Sequence, residues 1–238
     1  GLKPYICAGM DCKSLNEYLG CFDTLLKVLQ MEQGLYQAAR DLGVNLKEKG
    51  LRYAEVRFAP QLHCQKGMGQ EQAVAAVLSG LAKAQEDSDI RLRTILCCMR
   101  GQDNKQANLQ TVRLASRYLG RGVAAVDLAG AEALFPTADY EEEFALAREL
   151  GVPFTIHAGE AAGPASIRKA VEFGAARIGH GVQAIEDEEL MELLASREIP
   201  LEMCPISNLQ TKAVENIADY PLRTYLRRGI TVTVNSDN

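Results

Sequence analysis

Apolar and polar positions along the chain follow two alternating periods. Stretches with helical spacing end near a glycine, and a short apolar or β-branched run follows. Lys49-Gly50 precedes Arg52 to Phe58, and Arg121-Gly122 precedes Val123 to Leu128. Leu150-Gly151 precedes Pro153 to His157, Phe173-Gly174 precedes Ala176 to His180, and Arg228-Gly229 precedes Ile230 to Val234. A glycine at a helix C-terminus supplies the left-handed conformation that turns the chain into the next strand. Leu92 to Met99 and Pro200 to Ser207 fit the same series, which predicts seven strands. Helices are predicted over 14–30, 34–49, 70–86, 104–118, 137–150, 164–173 and 187–197. Pro164 suits a first helical turn, and Asp187 with Glu188 and Glu189 places negative charge at a helix start.

Alternating strands and helices imply a parallel sheet with crossover helices. The strands carry polar residues at alternate positions: Glu55 and Arg57 share one face, Asp127 lies between Val126 and Leu128, and Thr155 and His157 alternate with Phe154 and Ile156. One face therefore packs on helices while the other looks into a partly polar interior. That pattern fits an α/β fold of the TIM-type (β/α)8 barrel class, whose chemistry sits at the C-terminal strand ends. Seven strands of eight are visible over residues 1–238, read as a single incomplete barrel domain. The first strand is expected upstream of Gly1, and the closing helix after Asn238. The substrate gate is expected in the helices before Arg52.

Composition narrows the field. Of 238 residues, 47% are hydrophobic and 24% charged, and 26 Lys and Arg against 31 Asp and Glu leave a net charge of -5. An acidic balance argues against a nucleic-acid surface. No apolar run approaches the roughly 20 residues of a membrane span, and Gly1-Leu2-Lys3-Pro4 does not read as the opening of a signal peptide. Seven scattered cysteines without a Cys-x-x-Cys argue against a disulfide framework or a thiolate zinc site. They point to a reducing, cytoplasmic compartment, with Cys97 and Cys98 as buried thiols.

The candidate chemistry lies at strand ends. His157 is the first candidate metal ligand, since imidazole commonly binds Zn²⁺. Glu160 is a second ligand or a proton donor. His180, flanked by Gly179 and Gly181, is a candidate general base, and Asp237 a further oxygen ligand. Each alone reads equally well as a polar residue filling the barrel; together they point to metal-assisted hydrolysis. The glycine-bearing loop 159–163 has the look of a phosphate cradle, but it carries no Lys or Arg and Glu160 would repel an anion. His63 reads as a loop residue without a metal role.

These residues fall in an ordered series: Tyr53-Ala54-Glu55-Val56-Arg57-Phe58-Ala59-Pro60, Asp127-Leu128-Ala129-Gly130, His157-Ala158-Gly159-Glu160-Ala161-Ala162-Gly163-Pro164, Arg177-Ile178-Gly179-His180-Gly181, Cys204-Pro205-Ile206-Ser207-Asn208 and Asn235-Ser236-Asp237. The series resembles the adenosine deaminase family of metal-dependent hydrolases. The resemblance implies that His157 and Asp237 bind one Zn²⁺ and that Glu160 protonates ring N1 of the purine. It further implies that His180 positions the attacking hydroxide and helps take its proton, and that the Gly130 N–H contacts the purine. The implied reaction converts adenosine or deoxyadenosine to inosine or deoxyinosine and ammonia, in purine salvage. The implied partner is a small-molecule purine nucleoside, with no nucleic acid and no membrane.

Two departures qualify the resemblance. The family's first strand carries a His-x-His pair that supplies two more zinc ligands. No such pair occurs here, so the chain as written is expected to hold zinc weakly and to be nearly inactive. Asn238 stands where many relatives carry an aspartate; it can hydrogen-bond to substrate but cannot accept a proton. The alternatives are an adenine or modified-adenine deaminase, or a metal-free barrel that only binds.

Overall fold

Strands form at all seven predicted runs. The computed structural model describes residue 9 and residues 11–237. The strands are β1 (Tyr53–Phe58), β2 (Arg91–Met99), β3 (Val123–Ala129), β4 (Thr155–Ala158), β5 (Arg177–His180), β6 (Leu201–Met203) and β7 (Val232–Val234). Before β1 lie helices α1 (Leu15–Leu19), α2 (Phe22–Val28) and α3 (Glu32–Glu48). The crossovers carry α4 (Gln70–Asp87), α5 (Lys105–Tyr118), α6 (Glu141–Glu149), α7 (Pro164–Phe173), α8 (Glu188–Ser196), α9 (Pro205–Gln210) and α10 (Leu222–Arg227).

Every pairing between neighbouring strands is parallel. β1-β2-β3 form one sheet and β4-β5-β6-β7 another, and a parallel bridge between Val126 and Phe154 joins them. The joined sheet is rolled. Arg177 on β5 reaches Glu55 on β1 at 2.6 Å, and Arg57 on β1 reaches Glu202 on β6 at 3.0 Å. Such contacts between strands remote in sheet order require the inner faces to curve toward each other, as in a barrel.

The outer faces of the strands make the main core. Leu96, Val126, Leu128, Ile156, Ile178 and Leu201 are buried against helix residues such as Val112, Phe144, Ile167 and Leu190. A second cluster joins Leu35 and Ala39 of α3 to Val77, Leu81 and Ala84 of α4. The inner face is ionic, as the alternating pattern predicts. Glu55, Arg177, Glu202, Arg57, Asp127 and His157 follow one another with alternating sign, each in contact with the next. Thr155 adds a hydroxyl donor to Glu202 at 3.1 Å.

Local chemistry explains the boundaries. The five glycines preceding strands, at 50, 122, 151, 174 and 229, all have positive φ. Pro164 opens α7, and the Asp187 side chain caps α8 by accepting from the Leu190 N–H. Two expectations are corrected. The predicted helix over 14–30 is broken into α1 and α2 around Gly20, where glycine weakens helix continuity. The predicted strand over 200–207 ends at Met203, and Pro205 begins α9. Proline cannot donate to a sheet ladder but fits a first helical turn.

Candidate active site

β4 turns Ile156 and Ala158 into the core and leaves Thr155 and His157 on the inner face. Its neighbour β5 pairs Gly179 with His157 and His180 with Ala158. A side chain at 179 would meet the imidazole, since its Cβ would lie 3.3 Å from His157 Cγ. β7 continues past Val234 through Asn235, whose N–H donates to the Met203 carbonyl at 2.9 Å, and this delivers Asp237 to the same rim. His180 and Asp237 both hold left-handed backbone, with φ of 60° and 70°. Such conformations in non-glycine residues concentrate at functional sites.

Four of the predicted residues meet. One ligand atom each from His157, His180 and Asp237 lie within 4.8 Å of one another, and the two imidazole rings are 5.0 Å apart between centroids. Glu160 Oε2 is 3.5 Å from His180 Nε2, and Glu160 Oε1 accepts from the Thr211 hydroxyl at 3.1 Å. Glu160 and His180 are both buried.

Second partners fix the rings. His157 Nδ1 contacts the Asp127 carboxylate at 2.9 Å, which leaves Nε2 to face the cluster. The side-chain amide of Asn208 is 2.9 Å from His180 Nδ1, and the Tyr220 hydroxyl donates to Asn208 Oδ1 at 2.8 Å. Nε2 is again the ring nitrogen turned toward the cluster, on the side of Glu160. Burial alone would lower the His157 pKa, but the Asp127 charge raises it to about 9. Burial opposes ionisation of Asp127, yet His157 and Arg57 hold its carboxyl well below the usual range. Burial pushes the Cys204 thiol up, and the charges of Asp237 and Glu160 push it further.

The donor set fits a metal. The His157 imidazole and the Asp237 carboxylate suit Zn²⁺, and a ligating histidine whose other nitrogen meets a carboxylate is the usual arrangement at such sites. Beside the cluster opens a cleft of about 490 Å³, lined by residues that include Glu160, Gly163, Gln183, Thr211, Lys13 and Asn16. That volume is in the range of small-molecule sites. The segment before β1 thus contributes to the lining of this cleft.

The remaining predicted residues fall as follows. Gly130 directly follows β3, whose bridge to β4 aligns it with the same rim. Its φ is 111°, and an added Cβ would lie 3.3 Å from Arg100 Cβ, so backbone geometry alone requires glycine. Asn238 lies outside the described residues. His63 is buried in a turn with Nδ1 2.6 Å from the Leu29 carbonyl, apart from the metal group. The thiols of Cys97 and Cys98 are free and buried. Sequence reasoning missed Asp127, Arg57 and Glu202 as supports of the site; Arg57 and Asp127 stood in quoted motifs and at alternating polar positions, and Glu202 carried no signal beyond a charge in an apolar strand. It also missed Asn208, visible only as part of a motif.

Comparison with known proteins identifies the family. The sequence profile of the adenosine deaminase family matches residues 1–238. The chain is 55% identical to an adenosine deaminase from Haemophilus ducreyi and 41% identical to one from Enterococcus faecalis. In each case the match covers 100% of this chain and 70% of the relative. Among solved structures, the adenine deaminase of Arthrobacter aurescens is 29% identical and superposes with a TM-score of 0.87, covering 96% of this chain and 69% of that one. An amidohydrolase from Burkholderia ambifaria with bound Zn shares the fold at a TM-score of 0.89 and 22% identity, covering 99% of this chain and 66% of that one. The chain belongs to the adenosine deaminase family.

Proposed function

We propose that this site hydrolyses the 6-amino group of adenosine or deoxyadenosine, water replacing the amine and ammonia leaving. The observation that supports it is the convergence of His157, His180, Asp237 and Glu160 at one rim. His157 and Asp237 would hold one Zn²⁺, with the two further histidines that the resemblance implies. When bound, the metal supplies a water acidic enough to act as a nucleophile near neutral pH.

The chain's own residues do the rest. Glu160 has Oε1 engaged by Thr211, which leaves Oε2 to carry a proton to ring N1 and make C6 electrophilic. His180 would orient the attacking water through Nε2 and accept its proton there, with the ring's own hydrogen on Nδ1 donated to the Asn208 side-chain oxygen, the amide turned over from the orientation in which its nitrogen faces the ring. The Gly130 N–H and Asn238 would contact the purine, and the cleft beside Glu160 would take the ribose. The scattered free thiols support a reducing, cytoplasmic setting, and the continuous ionic interior supports one domain.

One observation favours a second reading: the Arthrobacter relative deaminates adenine, as its name states. Ammonia release measured side by side with adenosine and adenine, on the full-length metal-loaded protein, separates the two. Adenosine is expected to be the better substrate by kcat/KM. Deamination of neither compound defeats both readings.

A further inference from the structure

We infer that Glu132 is a positioning residue for Glu160, its buried carboxylate holding the four consecutive amides of the loop that presents that acid. The inference rests on the proposed role of Glu160 as proton donor. Glu132 follows β3 and is 2% exposed. Its Oε1 accepts from the Gly159 N–H at 2.7 Å and from the Ser166 hydroxyl at 2.5 Å. Its Oε2 accepts from the N–H groups of Glu160, Ala161 and Ala162 at 3.0, 2.8 and 3.0 Å.

Successive amides that point at one spot form a nest for an anion. The loop 159–163 has that character in the sequence, and here its anion is a side chain of the same molecule. Gly159 makes the nest possible. Its φ is 71°, and an added Cβ would lie 2.4 Å from Ile167 Cδ1. The carboxylate is itself tied back to β4. Arg100 donates to Thr137 Oγ1 at 3.0 Å and to the His157 carbonyl at 2.7 Å. Thr137 and Ser166 hydroxyls are 2.8 Å apart, so a directed chain runs Arg100, Thr137, Ser166, Glu132. The same chain therefore holds the strand end bearing His157 and the loop bearing Glu160. With all four amides directed at one carboxylate, the backbone of Glu160 is located by Glu132.

Glu132→Gln is the informative change. It replaces one acceptor by an NH₂ group facing donors. Misplacing a reacting group by about 1 Å can lower turnover on the order of 100-fold. We expect kcat to fall about 30- to 100-fold, with KM changed by less than about threefold and metal content unchanged. The decisive readout is a double-mutant cycle: in a Glu160→Gln background, Glu132→Gln should lower the residual kcat by less than about threefold. Equal losses in both backgrounds would overturn the inference. Amide exchange of Gly159 to Ala162, followed in the metal-loaded protein, should speed up at least about tenfold in Glu132→Gln, and unchanged exchange also overturns it. Full activity in Glu160→Gln alone would instead sink the proton-donor reading, while the exchange experiment still reports on the nest. Should Glu132→Gln fail to fold, Ser166→Ala removes one of the five donors and carries the same cycle.

Discussion

Replacing Asp127 by asparagine removes the charge that grips His157 while keeping nearly the same shape. Two effects then oppose each other in metal binding. In the parent, His157 holds its proton up to a pKa of about 9. At pH 7 a metal must displace that proton, a handicap of about 100-fold for two pH units. The neutral amide relieves the handicap, because burial alone lowers an imidazole pKa. Against this, the variant loses the carboxylate that orients the ring and raises its basicity. Losing such a partner typically weakens metal binding by about 10- to 100-fold. Near neutral pH the terms cancel in large part. Above pH 9 the proton no longer competes, and the loss stands alone. We therefore expect D127N to bind zinc about 10- to 100-fold more weakly than the parent at pH 9.5, with the gap narrowing toward pH 7. Folding should suffer less than for a fully orphaned charge, since Arg57 keeps Glu202 at 3.0 Å. Competition against a chelator of known affinity, run at both pH values, measures this. Equal affinities of parent and variant at pH 9.5 would refute the role given to Asp127.

Arg57→Met removes the cation that Asp127 and Glu202 share, but each keeps a second partner in His157 and Arg177, so it should destabilise by about 1–3 kcal/mol, or roughly 2–12 °C in Tm. Adding Glu202→Leu should recover part of that, and calorimetry of the single and double variants checks both. His157→Ala should lose bound zinc, whereas His180→Ala should keep most of it and lose kcat; metal content measured beside turnover distinguishes a ligand from a base. The raised His157 pKa predicts the pH dependence of the metal-free protein. The ordinary value is 6.5 and the folded value about 9, so the stabilisation is complete below 6.5 and lost as pH rises through 9. Metal-free Tm should fall across that window by more than in His157→Asn, and equal slopes would contradict the assignment.

The strands were legible because their signal is local: a glycine, then a short apolar run with polar residues at alternate positions. Pro205 was equally visible, yet the apolar run through Met203 and Cys204 carried the strand assignment past the turn that proline makes. The residues that meet at the candidate site were legible through their motifs. What no local pattern could provide was partnership. Asp127 lies 30 residues before His157, and Arg57 lies 145 before Glu202. Alternation says which face each occupies, but the pairs exist only once β1 curls over to β6. Glu132 was hidden for the same reason. A lone acid in a loop reads as solvated, and only the fold turns it under the amides of 159–162.

The ionic interior is itself an argument about function. A buried charge network is a weak source of stability, because desolvation offsets most of the attraction, and apolar replacements are often as stable. A barrel selected only to fold could fill this space with Val and Leu, as the layer outside the strands does. Here the charges alternate from Glu55 to Asp127 and end on His157, the residue that faces the cluster with Asp237 and His180. Each group fixes the next one's orientation, and the last in line is the imidazole whose free nitrogen faces the chemistry. The polar alternation in the strands is therefore the support of the site, with charged groups from β1, β3, β4, β5 and β6 meeting across the inside of the roll.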